Sequence, residues 1–414
     1  MFKRILILAE TIDSNSSSAG KANHAMIQSL HAAGFKIKIY HFSHDQIYID
    51  QIEVTLIKEI KSDLNYWLSR SQRVLQRLSK RNFSKQLENL FGFSFTFKND
   101  AFSMARALEK ESITDFDLLL TLSKGASYRT HAALLKLPQW HNKWLAYIHD
   151  PYPFHWYPNP YNWIEAGYKF KEAFFVQVIK KAQYLGYPSQ NLATWMSAFN
   201  DQFAHKAVIL PHQADATDFD INNLPEFFNV QDFNVLHAGN LMTTRDPQPL
   251  ILAWKEFILE NPNAKKNARL TIVGHSQHFR TQLELAAAQD ESIIIQPFYM
   301  DYKVVRAMES FASVNIILEA VAKESPFLPG KFPGLVIANA PILHLGPSNS
   351  ETRRLLGKNY LYAAEADDVQ YIKELLNNLF NKWQACDKVL LLDRADLDEY
   401  VSPIFLKQQI QKLN

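Results

Sequence analysis

Three features that are scarce in this sequence narrow the class of protein. The chain of 414 residues contains one cysteine, Cys386, which excludes an internal disulfide framework and fits a reducing compartment. The net charge of +2 gives no overall drive toward nucleic acid, and we expect no nucleic-acid partner. No apolar stretch reaches about 18 residues, so we expect no membrane-spanning helix. These absences predict a soluble, cytoplasmic protein.

Glycine is also scarce, with 12 residues, and none of them builds a phosphate-binding signature. No predicted strand is followed by the glycine-rich dinucleotide fingerprint, which argues against an oxidoreductase. The N-terminal apolar run is too short for a secretion signal and is typical of a strand. The composition, 47% hydrophobic and 21% charged, is that of a globular protein.

The length and the order of apolar segments predict two α/β domains. RILILAE (4–10) has the pattern of a buried parallel strand, and a helix ending at Gly34 and a second strand follow it. This βαβ start predicts a parallel sheet with right-handed crossovers. After a polar segment at 213–231, which we interpret as a linker, the pattern restarts at FNVLHAG (233–239). We predict a Rossmann-like, doubly wound domain at 1–213, a second at 214–390, and a C-terminal helical segment at 391–414 that packs on the first domain.

Ligands bind open α/β sheets at the carboxyl ends of the strands, so loops that follow strands are candidate sites. Two such domains in series place these ends on either side of a cleft. The loops concerned are 11–23, 149–163, 239–247, 274–279, 296–302 and 319–334.

Two basic residues in these loops are suited to phosphate. Arg245 follows Gly239, the end of a predicted strand, and precedes a predicted helix, where guanidinium and backbone N–H groups together bind phosphate. Lys331 stands between Pro329 and Pro333 at the start of another predicted helix, and its ammonium is a compact charge suited to phosphate. The alternatives are a surface arginine and a lysine that only extends from an apolar loop.

The order and spacing of several motifs resemble one enzyme family. Those of the second half are HAGNLMTTRDP, ARLTIVGH, IIIQPFYMDY and ESPFLPGKFPGLVIANAPIL, and those of the first half are YIHDP and AVILPH. They resemble retaining glycosyltransferases of the GT-B fold, of the family-4 type found in bacterial surface-polysaccharide assembly. The resemblance covers nearly the whole chain. It implies two Rossmann-like domains that face a cleft, the first for the acceptor and the second for a nucleotide sugar.

The resemblance also implies roles for particular residues. Arg245 and Lys331 would hold the donor diphosphate, with help from the backbone N–H groups of Gly334 and Leu335. The loop 14–24, which is rich in small residues, would lie beneath the reacting sugar, with Ala19, Gly20 and Lys21 as the candidate residues, although a plain surface loop is the alternative. The loop Pro297 to Tyr299 would lie near the base. The predicted donor-binding residues are Gly20, Gly239, Asn240, Arg245, Gly274, His275, Phe298, Lys331, Gly334, Leu335 and Glu351.

One departure from the family pattern concerns two glutamates that usually stand eight positions apart in the late loop. Counted back from Pro341, they fall at Pro326 and Gly334, and neither residue is acidic. The second glutamate normally holds the donor ribose, so another residue has to supply that contact. The candidates for this replacement are Glu319, Glu324 and Glu351.

His149 and Asp150 follow a predicted strand of the first domain. In the resembling enzymes a histidine of this region approaches the transferred sugar, so both residues are catalytic candidates, together with Arg245 and Lys331. The alternative is a strand-capping histidine held by Asp150.

The aromatic residues within 152–163 could stack on sugar faces or form a packed loop core. His141, His149 and His155 suggest a metal, but the aspartate motif that a metal-bound diphosphate needs is missing, and we predict no metal site.

The segment 58–85 carries eight lysine or arginine residues against two acidic ones, with apolar residues between them. This pattern predicts a basic amphipathic helix that lies on anionic lipid, which would suit a lipid-linked acceptor. The alternative is an ordinary helix with a solvated basic face.

These patterns together predict a hexosyltransferase that moves a sugar from a nucleoside-diphosphate sugar to a hydroxyl of a glycan or a lipid-linked glycan. Retention, no metal and no cofactor are expected, and the protein would touch the membrane peripherally. Two alternatives stay open. One is a nucleotide-sugar epimerase, for which we find no pair of acid/base carboxylates. The other is a GT-B binding or partner protein that has lost its ribose-binding glutamate.

Overall fold

The computed structural model describes residues 2–14, 17–214 and 221–413 and shows two compact units. The second unit comprises Pro158–Pro160 and His212–Val401. The first unit comprises Met1–Tyr157, Tyr161–Pro211 and Ser402–Asn414. The C-terminal segment predicted as 391–414 therefore divides at residue 402, and its first part belongs to the second unit. Six residues of the predicted linker, 215–220, lie outside the described residues.

The first unit is built on a seven-stranded sheet whose pairings are all parallel. Its strand order is β3-β2-β1-β4-β5-β6-β7. The strands are β1 Arg4–Ala9, β2 Lys36–His41, β3 Glu53–Leu56, β4 Leu118–Leu122, β5 Trp144–Tyr147, β6 Tyr184–Tyr187 and β7 Ala207–Ile209. The helices that precede the second unit are α1 Ser18–Ala32, α2 Leu64–Ser79, α3 Ser84–Phe91, α4 Phe95–Leu108, α5 Arg129–Leu134, α6 Tyr168–Lys181, α7 Gln190–Ser197 and α8 Gln202–Lys206.

The second unit is built on a six-stranded sheet, also parallel throughout. Its strand order is β10-β9-β8-β11-β12-β13. The strands are β8 Phe233–Ala238, β9 Ala268–Val273, β10 Ile293–Gln296, β11 Val314–Leu318, β12 Ile342–Leu345 and β13 Ala363–Ala364. The helices are α9 Gln248–Glu260, α10 Ala264–Asn267, α11 Arg280–Gln289, α12 Tyr302–Phe311, α13 Phe332–Ala338, α14 Glu351–Leu356, α15 Val369–Ala385 and α16 Ala395–Tyr400.

The last helix, α17 (Pro403–Gln411), returns to the first unit. Its Leu406 and Ile410 are fully buried in the core cluster around β1 and α1. Gln411 donates from Nε2 to the carbonyl of Phe2 at 2.8 Å and accepts from the Phe2 N–H at 3.2 Å. The two ends of the chain are thus joined within one unit.

The strand order of each sheet reverses direction at one point, and such switch points open the crevice that binds ligands in doubly wound sheets. In the first sheet the reversal lies between β1 and β4, and in the second between β8 and β11. The predicted fold class, two Rossmann-like doubly wound domains, is confirmed. Among the described residues, no helix combines the length and the apolar character needed to cross a bilayer.

Several parts of the chain differ from the prediction. The short strands β3 and β13 and several helices, among them α4, α6 and α15, were not predicted. The segment 58–85 does not form one helix, because α2 ends where Lys80 takes a left-handed conformation and α3 starts four residues later. Asp63 caps the start of α2 by accepting a hydrogen bond from the Asn65 N–H at 2.8 Å.

Candidate functional site

The carboxyl edge of the second sheet carries the predicted donor-site glycines. Gly239 follows β8 and Gly274 follows β9, and both have positive φ, +155° and +127°. A Cβ on Gly274 would lie 2.4 Å from the carbonyl oxygen of Gly239, so these two loops can meet only because residue 274 is glycine. Two further bonds join the loops: the His275 N–H donates to Asn240 Oδ1 at 3.1 Å, and the Leu241 N–H donates to the His275 carbonyl at 3.0 Å.

Lys331 reaches into the switch point of this sheet. Its ammonium donates to the carbonyl of Ile316 in β11 at 2.7 Å and to that of Ala238 in β8 at 3.2 Å. Its Nζ also lies 3.4 Å from Nδ1 of the buried His237. The two central strands therefore hold one positive charge at the place where a doubly wound sheet binds its ligand.

This charge is poorly solvated. Desolvation, together with the charge of Arg245, lowers the pKa of Lys331 to about 7, while Glu309 raises it only in part. Burial, with the charges of Lys331 and Arg245, holds the pKa of His237 well below its usual value, so this imidazole is neutral at pH 7. His237 was not among the predicted site residues, although it lies in the quoted strand motif two residues before Gly239.

Arg245 follows β8 at the same edge of the sheet, and its charge contributes to the lowered pKa of Lys331. The Arg245 N–H closes a turn to the Met242 carbonyl at 2.8 Å, and its half-buried side chain leaves Nε without a hydrogen-bond partner. Within residues 2–14, 17–214 and 221–413, no carboxylate lies within salt-bridge distance of Arg245 or Lys331. Two neighbouring cations without a paired carboxylate form a site suited to an anion.

The helix α13 begins directly after Lys331, and its first turn is tightly packed. A Cβ on Gly334 would lie 2.4 Å from Nη1 of Arg306, a buried guanidinium paired with Glu309 at 2.6 Å. Gly334 thus makes room for this ion pair, which leaves no space for a glutamate side chain. The Leu335 side chain is buried, and its N–H donates to the Lys331 carbonyl at 3.0 Å. That N–H is used within the helix, whereas the prediction assigned it to a phosphate.

The three acids considered as ribose ligands lie in different surroundings. Glu351 starts α14 with a fully buried carboxylate that Arg354 binds through both oxygens, at 2.8 and 2.9 Å. Glu319 follows β11 and bonds to Nε2 of the buried His344 at 2.9 Å; burial alone would raise the pKa of Glu319, but the partners, led by His344, hold it below the usual value. Glu324 is half-buried in the same loop, and its side chain makes no hydrogen bond or ion pair with the residues described.

Three of the predicted donor-binding residues, His275, Asn240 and Phe298, are exposed. His275 lies on the surface after β9, and Asn240 follows Gly239 on the same edge. Phe298 is exposed after β10, with the guanidinium of Arg280 4.9 Å from its ring centroid. The second sheet therefore gathers the predicted residues after β8, β9 and β10 at one edge.

The first unit places His149 and Asp150 at the carboxyl end of β5. The His149 ring is buried and packs against Tyr147 at a centroid distance of 4.7 Å. Desolvation raises the pKa of Asp150 to about 6. The Asp150 carbonyl accepts a hydrogen bond from the Tyr128 hydroxyl at 2.5 Å, which fixes the backbone there.

A buried charge cluster at the switch point of the first sheet was missed by the sequence analysis. Glu10, which follows β1, accepts from Arg129 at 2.7 Å, from the Lys124 N–H at 3.0 Å and from the Ser127 hydroxyl. Arg129 also pairs with Asp100 at 3.0 Å, and desolvation raises the pKa of Asp100 to about 6. The one local signal in the sequence is the position of Glu10, an acid directly after an apolar strand.

The loop before α1 lies at the same carboxyl edge of the first sheet, beside the loops that follow β1 and β4. A Cβ on Gly20 would lie 2.0 Å from the Asp13 carbonyl oxygen, so the helix packs closely on the loop after β1. Asn23 donates to the carbonyls of Thr11 and Ser123 at 2.9 and 3.2 Å, joining the loops after β1 and β4. Ala19 and Lys21 lie in the same first turn of α1, whereas residues 15 and 16 of the predicted loop lie outside the described residues.

The aromatic residues of 152–163 divide between two roles. Tyr152 and Trp156 are buried in the core of the first unit, whereas Trp163 is about half exposed and stacks on Phe154 at 4.9 Å. The three histidines 141, 149 and 155 do not converge, and the described part of the chain has no group of three His, Cys, Asp or Glu side chains able to hold a metal ion.

No protein-family model matches this sequence, and no curated protein matches it. Solved structures do match in three dimensions over almost the whole chain. The E. coli trehalose-6-phosphate structure bound with UDP-2-fluoro glucose has a TM-score of 0.62 at 11% identity, with 99% of each chain covered. A trehalose-phosphate synthase (UDP-forming) from Burkholderia xenovorans in complex with glucose-6-phosphate has 0.62 at 9% identity, again with 99% of each chain covered.

Anabaena Alr3699/HepE in complex with UDP-glucose has a TM-score of 0.56 at 12% identity, with 99% of this chain and 98% of the other covered. Identities this low establish a common fold. The chain therefore has the GT-B fold, with two Rossmann-like parallel-sheet domains.

Proposed function

We propose that this protein is a glycosyltransferase that moves a sugar from a nucleoside-diphosphate sugar to an acceptor hydroxyl. The observation that carries the proposal is the pair of cations, Arg245 and Lys331, at the switch point of the second sheet. The domain roles that follow are an acceptor domain in the first unit, which includes the C-terminal helix α17, and a donor domain in the second unit, which runs to Val401. Two of the structural neighbours are described with UDP-sugars, so a UDP-sugar is the first donor to test.

The chemistry asked of the donor site is departure of the nucleoside diphosphate. As the bond between the anomeric carbon and the phosphate oxygen breaks, negative charge grows on that oxygen. Arg245 and the protonated Lys331 would stabilise this charge without reorganisation, because β8 and β11 already hold the lysine in place. In other reactions with a diphosphate leaving group, a divalent metal ion compensates the negative charge. Here the two cations would do so, and we therefore propose a metal-independent reaction.

We propose retention through attack on the same face as the leaving group. The acceptor oxygen bonds to the anomeric carbon, and its proton passes to the departing phosphate oxygen. In the first unit, His149 and Asp150 are proposed to orient the acceptor hydroxyl. The raised pKa of Asp150, about 6, leaves its carboxylate mostly ionised at pH 7 and able to accept that hydrogen bond.

The ribose contact is proposed to come from Glu324. A ribose diol offers two hydroxyl donors, and an ionised carboxylate is an acceptor of the matching kind. Glu351 and Glu319 already use their oxygens on Arg354 and His344, whereas Glu324 makes no such bond among the described residues.

Calorimetric titration with UDP, GDP, ADP and dTDP tests the donor site, followed by titration with the matching nucleotide sugar. We expect one nucleotide to bind and Lys331→Met to weaken it by about tenfold to a hundredfold, since a hydrogen bond to a charged group contributes roughly 1.5–3 kcal/mol. Lys323→Met, an exposed lysine of the same loop, is the matched control and should bind like wild type.

The possible results separate the alternatives. Binding of no nucleotide, or equal binding by wild type and Lys331→Met, contradicts the donor-site assignment. Binding without release of nucleoside diphosphate, with any acceptor offered, favours a partner protein. Conversion of the donor sugar without an acceptor identifies an epimerase, and NMR of a transferred sugar shows whether the anomeric configuration is retained.

A further inference from the structure

The helix α2 is amphipathic in the reverse sense to an ordinary surface helix. The side that faces the protein consists of Asn65, Tyr66, Ser69, Arg70, Gln72 and Gln76, and all of them except the aromatic Tyr66 are polar or charged. Gln72 and Gln76 both donate to the Ser84 hydroxyl of α3, at 3.2 and 3.1 Å. The apolar side faces solvent and consists of Leu64, Trp67, Leu68, Val74, Leu75 and Leu78.

We call these six residues the apolar stripe. They follow the spacing i, i+3, i+4, i+10, i+11 and i+14, so they share one face of the helix. Leu64 is 70% exposed and Leu78 is 75% exposed, so the stripe is in contact with solvent from one end of the helix to the other. Ser71, at i+7, is the one polar residue on this face. An exposed apolar face of this extent marks a binding surface, in contrast to single exposed apolar residues.

Positive charge surrounds the apolar stripe. Six exposed basic residues lie on the flank of α2 or just beyond its two ends, namely Lys58, Lys61, Arg77, Lys80, Arg81 and Lys85. The two acidic residues of the segment are already engaged: Glu59 pairs with Arg70 at 3.2 Å, and Asp63 caps the helix. The surface therefore presents apolar side chains within a basic border.

The apolar surface continues past α2. Leu90 and Phe91 of α3 are also exposed, and the ammonium of Lys98 lies 5.3 Å from the Phe91 ring centroid. Lys98 and Asn65 line an open cavity of about 360 Å³, whose other walls include the rings of Phe93, Phe97 and Phe174. An apolar cavity with a lysine at its wall can accept part of an amphiphile whose head group is anionic.

We propose that α2 docks on an anionic lipid bilayer, with the apolar stripe inserted at the boundary between head groups and acyl chains. Trp67 and the leucines enter the apolar layer, while the basic border contacts anionic head groups. A second copy of this chain fits less well, because a symmetric contact through the stripe would bring two basic borders together. This proposal does not depend on the glycosyltransferase assignment.

Vesicle flotation tests the proposal directly. The wild-type protein is expected to float with vesicles of phosphatidylcholine and phosphatidylglycerol, to float less at high salt, and to stay behind with phosphatidylcholine alone. Trp67→Gln combined with Leu75→Gln should lower the bound fraction by about tenfold, because two apolar side chains then leave the lipid. Both side chains are exposed, so the unfolding temperature should not change.

The matched control is Leu252→Gln combined with Leu259→Gln, two exposed leucines of α9 that should leave flotation unchanged. A second measurement uses the single cysteine. In a Cys386→Ser background, a polarity-sensitive dye at Leu75→Cys should shift to the blue with anionic vesicles, and the same dye at Leu259→Cys should not. Equal flotation of wild type and the α2 double variant overturns the proposal. Absence of flotation of the wild type also overturns it. A concentration-dependent dimer that the α2 variant abolishes would then show that a second copy of the chain covers the apolar stripe.

Discussion

At the scale of single residues, Lys331 places its ammonium group at the switch point of the second sheet, where burial disfavours the charged form. Backbone carbonyls of Ile316 and Ala238 hold its ammonium, and no described carboxylate pairs with it. Its pKa of about 7 means that the free protein loses this charge just above neutral pH. An anionic ligand would restore the charge, so ligand binding and protonation should be coupled.

The affinity for a nucleotide sugar should therefore fall as the pH rises above about 7. Binding to the deprotonated protein requires uptake of one proton, and we expect a loss of roughly tenfold or more between about pH 6 and about pH 9. Calorimetry in buffers of different ionisation enthalpy measures both the affinity and the proton uptake. Lys331→Arg keeps its charge and should bind with little pH dependence, whereas a flat profile for the wild type would contradict the coupling.

The ammonium of Lys331 should also affect the free energy of unfolding. The direction in which this contribution changes with pH can be measured separately from ligand binding. The pKa of Lys331 is lower in the folded protein than the ordinary value of 10.5, so the unfolded chain binds more protons between about pH 7 and about pH 10.5. The contribution of Lys331 to the free energy of unfolding therefore rises with pH in this window and is flat below it. Comparison of Lys331→Met with wild type in denaturant titrations at several pH values isolates this contribution.

At the scale of elements, the strand ends of the second sheet depend on one close backbone contact. Gly274→Ala places a Cβ 2.4 Å from the Gly239 carbonyl oxygen in a conformation that L-residues rarely adopt. We expect the free energy of unfolding to fall by about 2–4 kcal/mol and the nucleotide affinity to fall with it, since Gly239 borders Lys331. Denaturant titration and calorimetry measure the two effects.

Gly330→Ala is the control for that substitution, because it lies one residue before Lys331 with no atom within 4 Å of the added Cβ. Its stability should stay within about 0.5 kcal/mol of wild type. If both alanine variants were equally stable, the close contact between the loops after β8 and β9 would not constrain this edge.

At the scale of the whole molecule, the first unit is completed by the far end of the chain. Leu406 and Ile410 of α17 fill the core beside α1, and contacts between Gln411 and Phe2 join the termini. Leu406→Ala should lower the free energy of unfolding by about 2–5 kcal/mol, because it leaves a cavity in this core. Ile404→Ala, on the same helix but 65% exposed, should change it by less than about 0.5 kcal/mol.

Thermal and denaturant unfolding of these two variants measure the difference. A loss in Leu406→Ala no larger than that in Ile404→Ala would mean that α17 is not an integral part of the first unit. The prediction from sequence placed a C-terminal helix against this domain but started the segment at 391, whereas residues up to Val401 belong to the second unit.

Much of the fold could be predicted from local pattern. Apolar runs such as RILILA and VNIIL identify buried parallel strands, because a strand covered on both faces needs apolar side chains at most of its positions. Their alternation with helices determines the α/β class. The position of Lys331 and Arg245 in loops after strands also follows from the sequence, and their role as phosphate ligands remains a prediction. The short strand β3 was missed because its side chains are half-buried or exposed and lack that apolar signal.

Only the tertiary structure decided which distant groups meet. Glu10, Asp100 and Arg129 form one buried cluster although up to 119 positions separate them, and no local pattern encodes such a meeting. The same holds for α2, whose sequence determines that one face is apolar but not where that face points. Packing of α2 against α4, together with the hydrogen bonds from Gln72 and Gln76 to Ser84 of α3, turns the apolar stripe toward solvent. Periodicity is a property of one helix, whereas burial depends on the neighbours that the rest of the chain supplies.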